Sequence, residues 1–176
     1  MRPMQGTDLK RLHRDWRRRT DHRLALLLDG VQQPFNVGAI IRTAAAFGVE
    51  HLYLAGGVPS PRNAKVQKTA LGTDRLLGWS HHDSAPDALA AVRDDGYTLV
   101  GLELTSTASP LAELAIGDAT CVAVGHEDRG LTAAVLAGCA ALAYVPTPGK
   151  VGSLNVATAT SIALYEARRQ EWAGPA

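Results

Sequence analysis

The sequence has few aromatic residues, only two cysteines and no long apolar run. Aromatic side chains make up 5% of the 176 residues, so we expect small residues to pack helices closely against a sheet. Cys121 and Cys139 lack metal-binding spacing and are typical of small buried residues in a reducing compartment. No segment approaches the roughly 18 apolar residues of a membrane span, and the charged N-terminus lacks the apolar stretch of a secretion signal. We therefore expect a cytoplasmic protein.

Common cofactor and metal motifs are also missing. The sequence contains no glycine-rich dinucleotide or phosphate-binding signature, no HExxH zinc motif and no GxSxG nucleophile motif. His81 and His82 are adjacent but have no third ligand at metal spacing, so we interpret them as surface residues. We predict no metal site.

Positive charge is concentrated at the N-terminus. The formal net charge is +1, yet residues 1–23 carry eight Lys or Arg residues against three Asp residues, which leaves the other 153 residues at −4. Residues 8–19 have the periodicity of an amphipathic helix, with Leu9, Leu12 and Trp16 on one face. The segment is a candidate surface for a polyanion, and a solvated helix face is the alternative. Its basic residues are Arg2, Lys10, Arg11, Arg14, Arg17, Arg18, Arg19 and Arg23.

Apolar strands alternate with helical segments through the rest of the chain. This order predicts one α/β domain over residues 24–176, with a mostly parallel sheet flanked by helices on both faces. Ligands of such sheets bind in loops beyond the carboxyl ends of the strands, here 29–36, 125–131 and 146–154. The predicted strands are 24–28, 51–57, 76–81, 97–104, 120–125 and 141–145, and the predicted helices are 36–47, 86–95, 132–137 and 153–172.

The first loop leads into the segment NVGAIIRTAAAFG, residues 36–48. Asn36 is a candidate N-cap of the predicted helix, and Gly48 is its stop. Arg42 interrupts a run of small and apolar residues, so we expect its side chain to be packed and to need a partner. A structural carboxylate or a bound phosphate or ribose would satisfy the guanidinium.

The other two loops carry further polar candidates. Glu127 follows a predicted buried strand in VAVGHEDRGL, residues 122–131, where an exposed surface turn is the alternative to a functional role. Ser153 is a candidate cap of the final helix, and Asn155 lies just inside it. The N–H groups at such a helix start attract polar or anionic ligand atoms.

Together these segments resemble the three signature motifs of the SpoU/TrmH family of RNA ribose 2′-O-methyltransferases, in the SPOUT superfamily. The similar stretches here are NVGAIIRTAAAFG, VGHEDRGL and VPTPGKVGSLNVATATSIALYEARRQ, and the resemblance covers about residues 24–170. His126 departs from the family pattern, which usually has a small or amide residue between the glycine and the glutamate.

The resemblance implies a fold, a cofactor and an oligomeric state. It implies a sheet whose C-terminal part is threaded into a deep trefoil knot, which ordinary topology would not suggest. It also implies an obligate homodimer that packs through the helix of the first motif and the final helix, with each active site near the interface. The cofactor implied is S-adenosylmethionine, bound mostly through backbone groups. By position, its binding residues would be Leu102, Glu103, Gly125, Val145 and Leu154.

The resemblance further implies a catalytic set around the ribose 2′-hydroxyl. We expect Arg42 to contact the 2′-oxygen and the adjacent phosphate and to stabilise the negative charge that develops. A general-base role is the alternative that the family suggests, although a free guanidinium is essentially never deprotonated. Asn36 would orient Arg42 or the ribose, and the substrate pocket would be lined by Glu127, Ser153 and Asn155.

The RNA is expected to bind to two basic surfaces. The basic extension, residues 1–23, is similar to that of enzymes that methylate guanosine 18 in the tRNA D-loop, so tRNA is favoured over ribosomal RNA. A non-catalytic RNA-binding dimer and an α/β nucleotide-binding enzyme are alternatives from other classes. The residues expected to contact RNA are Lys10, Arg11, Arg14, Arg18, Arg62, Lys65 and Lys68, with Arg75 in the second surface.

Overall fold

A computed structural model describes residues 3–174 of the chain, so Arg2 of the predicted basic segment lies outside the described residues. Within that range the strands are β1 (Arg23–Asp29), β2 (His51–Ala55), β3 (Gly78–His82), β4 (Thr98–Leu102), β5 (Ser109–Pro110), β6 (Ala119–Gly125) and β7 (Ala141–Tyr144). The helices are α1 (Gly6–Arg17), α2 (Pro34–Ala46), α3 (Ala64–Ala70), α4 (Ala85–Asp94), α5 (Ala133–Gly138) and α6 (Val156–Ala173).

The strands described form one sheet in the order β3-β2-β1-β6-β4-β7-β5, and their recorded pairings are parallel. The prediction of a mostly parallel α/β sheet is therefore confirmed. Strand β5 and helix α3 are absent from the sequence-based prediction, because a two-residue strand and a seven-residue helix show too little periodicity.

The central strand β1 explains why helices cover both faces of the sheet. Successive side chains of a strand point to opposite faces, and every residue from Leu24 to Leu28 is buried. Leu24, Leu26 and Leu28 pack in a cluster with α2, α3 and α6. Ala25 and Leu27 pack in a second cluster with α4 and α5. A continuous apolar strand thus serves two cores at once.

Helix α2 lies unusually close to α3. A β-carbon added at Gly38 would come within 2.5 Å of the Val66 carbonyl oxygen and 2.8 Å of the Thr69 β-carbon. Glycine at this position allows the close approach of the two helices.

The start of α2 differs from the prediction. Gln33 is the N-cap and Pro34 opens the helix, where the missing proline N–H costs nothing. Asn36 consequently lies in the first turn, and its predicted role as the N-cap is wrong. Its side chain is available for other partners.

Helix α1 lies outside the two helical layers and is held at one end. The ring of Trp16 lies 4.7 Å from that of Trp172, centroid to centroid, and Trp172 Nε1 donates to Thr20 Oγ1 at 2.9 Å. Leu9 and Leu12 remain 38% and 39% exposed. The predicted amphipathic helix is thus present, but its apolar face is only half covered.

His81 and His82 differ in their exposure to solvent, and so do Cys121 and Cys139. His81 is exposed as expected, whereas His82 is half-buried and bonds through Nε2 to Ser80 Oγ at 2.8 Å. Cys121 is buried, and burial raises its pKa well above the usual value. Burial also raises the pKa of the half-buried Cys139 to about 11.

Within residues 3–174, no helix combines the length and apolarity needed to cross a membrane.

Candidate active site

Three polar side chains from three loops meet at the carboxyl edge of the sheet. Glu127 follows β6, Asn36 lies in the first turn of α2, and Asn155 precedes α6. Asn36 Nδ2 donates to Glu127 Oε1 at 2.9 Å, and Asn155 Nδ2 donates to Asn36 Oδ1 at 3.0 Å. The fold thus links three of the five predicted catalytic residues in one chain of hydrogen bonds, which we call the polar network.

The Glu127 carboxylate also holds the start of α2. The backbone N–H groups of Gln32 and Gln33 donate to its two oxygens at 3.1 and 3.0 Å. Burial raises the pKa of Glu127, but the hydrogen bonds from Asn36 and from backbone N–H groups outweigh burial and lower the pKa overall. Glu127 is therefore ionised, half-buried and hydrogen-bonded, whereas Asp128 and Arg129 in the same turn are exposed.

Asn155 is the N-cap of α6. Its Oδ1 accepts the N–H groups of Ala157 and Thr158 at 2.9 and 3.3 Å. The predicted helix start at Ser153 is therefore wrong, and the helix begins at Val156. Asn155 uses its oxygen for the helix and its amide for Asn36, which fixes its orientation.

Ser153 and Arg42 stand apart from the polar network. Ser153 is exposed in the loop before α6, and no described residue hydrogen-bonds to its hydroxyl. Arg42 is exposed on the outer face of α2, between the exposed Phe35 and Ala46, and no ion pair joins it to any residue from 3 to 174. The expectation of a packed Arg42 is wrong, because Ile40 and Ile41 precede it in sequence but occupy the opposite, buried side of the helix.

Two adjoining cavities lie beside the polar network, with volumes of about 320 and 520 Å³. Both are in the range of small-molecule sites. Leu102, Glu103 and Leu154 line both cavities, Val145 lines the smaller one, and Gly125 lines the larger one. All five residues predicted to bind the cofactor therefore border this space. Its walls combine apolar side chains such as Leu102 and Leu154 with polar ones such as Glu127, and its size fits a nucleoside-bearing cofactor.

The Glu103 carboxylate also holds two backbone N–H groups in the cavity wall. Its Oε1 accepts the N–H of Leu104 at 3.1 Å, and its Oε2 accepts the N–H of Leu131 at 3.0 Å. A β-carbon at Gly125 would collide with the backbone of Gly130, so glycine is needed where β6 ends. The loop that carries Glu127 is thus fixed to both β4 and β6.

The predicted RNA-binding residues are all on the surface. Lys10, Arg11, Arg14 and Arg18 are exposed on or beside α1. Arg62, Lys65, Lys68 and Arg75 are exposed on or near α3, and the Arg62 guanidinium carbon lies 5.7 Å from the centre of the Trp79 ring. Both surfaces are accessible to a polyanion.

Among the described residues, no cluster of His, Cys, Asp and Glu is arranged to bind a metal.

Sequence reasoning did not select every residue of the site. Tyr144 and Thr147 line the smaller cavity, and Arg129 lines the larger one. Arg129 lies inside the quoted motif VGHEDRGL, so its position in a loop at the carboxyl edge of the sheet was an available signal.

Comparisons with known proteins relate this chain to a family of methyltransferases. The model of the SpoU rRNA Methylase family matches residues 23–165. An uncharacterized tRNA/rRNA methyltransferase of Synechocystis is 38% identical over 159 residues, which cover 90% of this chain and 58% of the relative. The tRNA (guanosine(18)-2′-O)-methyltransferase of Escherichia coli is 33% identical over 147 residues, covering 84% of this chain and 63% of the relative.

A solved structure shows the same fold. The SpoU methyltransferase AviRb from Streptomyces viridochromogenes, in complex with the cofactor AdoMet, matches 88% of this chain and 62% of its own with a TM-score of 0.79 and 30% identity. The chain spans about 60% of the length of the curated relatives that it matches. Since the family model extends from β1 through the polar network into α6, this chain belongs to the SpoU rRNA methylase family.

Proposed function

We propose that this chain transfers a methyl group from S-adenosylmethionine to a ribose 2′-hydroxyl in RNA. The observation that carries this proposal is the polar network of Glu127, Asn36 and Asn155, which borders the cavity lined by the expected cofactor residues. A reactive site needs such fixed polar groups beside a pocket for its cofactor. A non-catalytic scaffold would need the network only to hold the starts of α2 and α6, and the adjoining cavity of cofactor size favours the enzyme.

S-adenosylmethionine, when bound, supplies an electrophilic methyl group on a positively charged sulfur. Leu102, Val145 and Leu154 would hold its apolar parts, and Gly125 would let it approach the backbone at the end of β6. Glu103 would act through its backbone, because both of its carboxylate oxygens already accept N–H groups.

Arg42 would stabilise the negative charge that develops on the attacking 2′-oxygen. Asn36 would position the ribose and not Arg42, because Nδ2 keeps a second N–H that can donate to a ribose oxygen but not to a guanidinium, which has only donors. The exposed Ser153 hydroxyl lines the larger cavity, as Glu127 does, and would contact the ribose. In this mechanism the protein supplies orientation and charge at a site that the fold has already organised.

The position of Arg42 supports a homodimer. The face of α2 that carries Arg42 adjoins an apolar groove of about 560 Å³ between α2 and α6, lined by Ala39, Ile162 and Tyr165 among others. Ile162 and Tyr165 are 37% and 53% exposed. A second copy that packs against α2 and α6 would cover these side chains and enclose Arg42 at the interface.

We also infer that the C-terminal segment is knotted. Strand β7 lies between β4 and β5, yet the helix that follows it, α6, contacts α2, β4 and β6. The chain therefore returns across β4 after leaving β7. Such a return is needed to thread a segment through the loop before β6, which supports the knot that the resemblance implies.

For the substrate we favour tRNA in the cytoplasm, with a ribosomal RNA as the alternative. The exposed basic residues of α1 support a surface that binds RNA phosphates. The Escherichia coli relative is named for guanosine 18 of tRNA, whereas the name of the Synechocystis relative includes both tRNA and rRNA. Residues 1–23 would act as the RNA-binding extension, and residues 24–176 as the methyltransferase domain.

The test is methyl transfer from radiolabelled S-adenosylmethionine to total tRNA and, separately, to ribosomal RNA, followed by nuclease mapping. Label in tRNA supports the full proposal. Label only in ribosomal RNA keeps the reaction and overturns the choice of substrate. Cofactor binding without label in either RNA overturns the enzymatic proposal.

A further inference from the structure

Residues 126–130 form a tight turn at the edge of the larger cavity. The His126 N–H donates to the Gly130 carbonyl oxygen at 3.1 Å, and the Gly130 N–H donates back to the His126 carbonyl oxygen at 2.9 Å. Gly130 has a φ of +67°, and a β-carbon there would collide with the Glu103 carboxylate. Since Glu103 also accepts the Leu131 N–H, the turn is fixed at its base. We call residues 126–130 the cavity turn.

The His126 side chain braces the cavity turn from within. The Asp128 N–H donates to His126 Nδ1 at 3.0 Å. Nδ1 must therefore offer a lone pair, and the neutral ring carries its proton on Nε2. An uncharged acceptor at this point holds the backbone of Asp128, and with it the next residue, Arg129.

Arg129 presents an available cation on this fixed backbone. Its side chain is exposed and lines the larger cavity together with Glu127 and Asn155. No carboxylate among residues 3–174 forms an ion pair with it. A guanidinium without a protein partner matches the geometry of phosphate oxygens. The 2′-hydroxyl and the 3′-phosphate of RNA are attached to adjacent ribose carbons, so a group beside the reacting ribose is within reach of that phosphate.

We propose that Arg129 binds the phosphate on the 3′ side of the reacting ribose, and that His126 is a positioning residue that holds the turn presenting Arg129. This inference rests on the proposed function and adds to it a contact between Arg129 and an RNA phosphate at the reaction centre. The contact is separate from the basic surfaces on α1 and near α3.

Arg129→Gln removes the charge and keeps a polar, though shorter, side chain. We expect the dissociation constant for unmodified tRNA to rise about tenfold. The slope of log K against log salt concentration should become shallower by about 0.7–0.9, the value of one phosphate contact. Arg93→Gln is the matched control, because Arg93 is exposed on α4, on the other side of the sheet from α6. An unchanged slope and affinity for Arg129→Gln overturns the proposal.

A chemically altered RNA tests which phosphate is bound. An uncharged methylphosphonate replaces the phosphate 3′ to the nucleotide that nuclease mapping identifies. This replacement should weaken binding by the wild type and leave binding by Arg129→Gln unchanged, since both changes remove the same contact. If the two penalties add, Arg129 does not bind that phosphate.

His126→Asn and His126→Leu separate positioning from folding. The asparagine oxygen can accept the Asp128 N–H, so this variant should bind RNA as the wild type does, whereas His126→Leu should resemble Arg129→Gln. Calorimetric titration with S-adenosylmethionine should give equal affinities for both variants if the cavity is intact. Equal RNA affinity of the two variants overturns the role of His126. Because the salt slope measures binding alone, an absence of methyl transfer would overturn the proposed function and still leave the role of Arg129 tested.

Discussion

Asn36 Nδ2 donates to Glu127 Oε1 at 2.9 Å, and this hydrogen bond ties the first turn of α2 to the end of β6. Asn36 Oδ1 in turn accepts a hydrogen bond from Asn155 Nδ2, and Asn155 caps α6. Two helices that are separated by more than 100 residues in sequence therefore start from one hydrogen-bonded group. Any change at Glu127 should affect both helix starts.

Glu127→Gln should reduce stability in a pH-dependent way. The folded-state pKa of Glu127 is lowered, so its carboxylate stabilises the folded protein above the unfolded pKa of about 4.3, and this contribution is lost as the pH falls through the folded pKa. At pH 7 we expect a loss of about 1 kcal/mol, since the amide supplies one acceptor where the carboxylate supplies two. Urea unfolding at pH 7 and at pH 3.5 measures the difference.

The control for Glu127→Gln is Glu113→Gln, at an exposed glutamate in the segment before β6. It should leave the unfolding free energy unchanged at both pH values. A Glu127→Gln penalty that is as large at pH 3.5 as at pH 7 would contradict the assignment of an ionised, hydrogen-bonded carboxylate.

Arg42→Gln should slow the chemical step and leave the fold intact. Arg42 is exposed and forms no ion pair with a described residue, so its loss should not lower the unfolding free energy. Loss of a group that stabilises the reacting oxygen costs about 10²–10³ in kcat. Single-turnover methyl transfer, together with the dimer content from sedimentation, measures both properties. Full turnover by an intact Arg42→Gln dimer would rule out a catalytic role.

His51 should make the protein less stable in mild acid. Burial lowers its folded-state pKa, and the opposing effect of Asp95 does not restore it, while His82 lowers it further. The unfolded chain therefore binds more protons than the folded chain just below pH 6.5, so stability falls as the pH drops through that range. Urea unfolding at pH 7.5 and pH 5 should show a smaller decline for His51→Gln than for the wild type. His81→Gln, at an exposed neighbour, is the comparison, and equal declines in all three proteins would refute the effect.

Gly38→Ala should destabilise the contact between α2 and α3. The added methyl group would meet the Val66 carbonyl oxygen and the Thr69 side chain, and neither can move without shifting a helix. Overpacking of this kind costs about 1–3 kcal/mol. Gly117→Ala is a matched control, because a β-carbon there has nothing within 4 Å. Thermal unfolding of both variants measures the costs, and equal melting temperatures would show that α3 is not packed against α2 in this way.

Local patterns predicted much of the fold and only part of the site. The run LALLL placed β1 to within one residue at each end, because a strand buried on both faces needs continuous apolar side chains. The bond between Asn36 and Asn155 spans 119 positions and depends on the order of strands in the sheet. No local period contains that information, so the pairing was not predictable from the residues themselves.

Arg42 shows how a correct helix prediction can give a wrong environment. Its neighbours in sequence are Ile40 and Ile41, but its neighbours on the helix surface are three, four or seven positions away. Those positions include Phe35, 58% exposed, and the exposed Ala46. The other neighbours at this spacing, Gly38, Ala39 and Ala45, are small, so the residue types around Arg42 did not reveal its exposure.

The most direct measurement is alkaline hydrolysis of RNA that this protein has labelled with radioactive methyl groups. A methyl group on the 2′-oxygen blocks cleavage of the adjacent phosphodiester, so the proposed function predicts label in alkali-resistant dinucleotides with the wild type. The same label should be strongly reduced with Arg42→Gln. Label found only in mononucleotides would place the methyl group on a base and contradict the central claim.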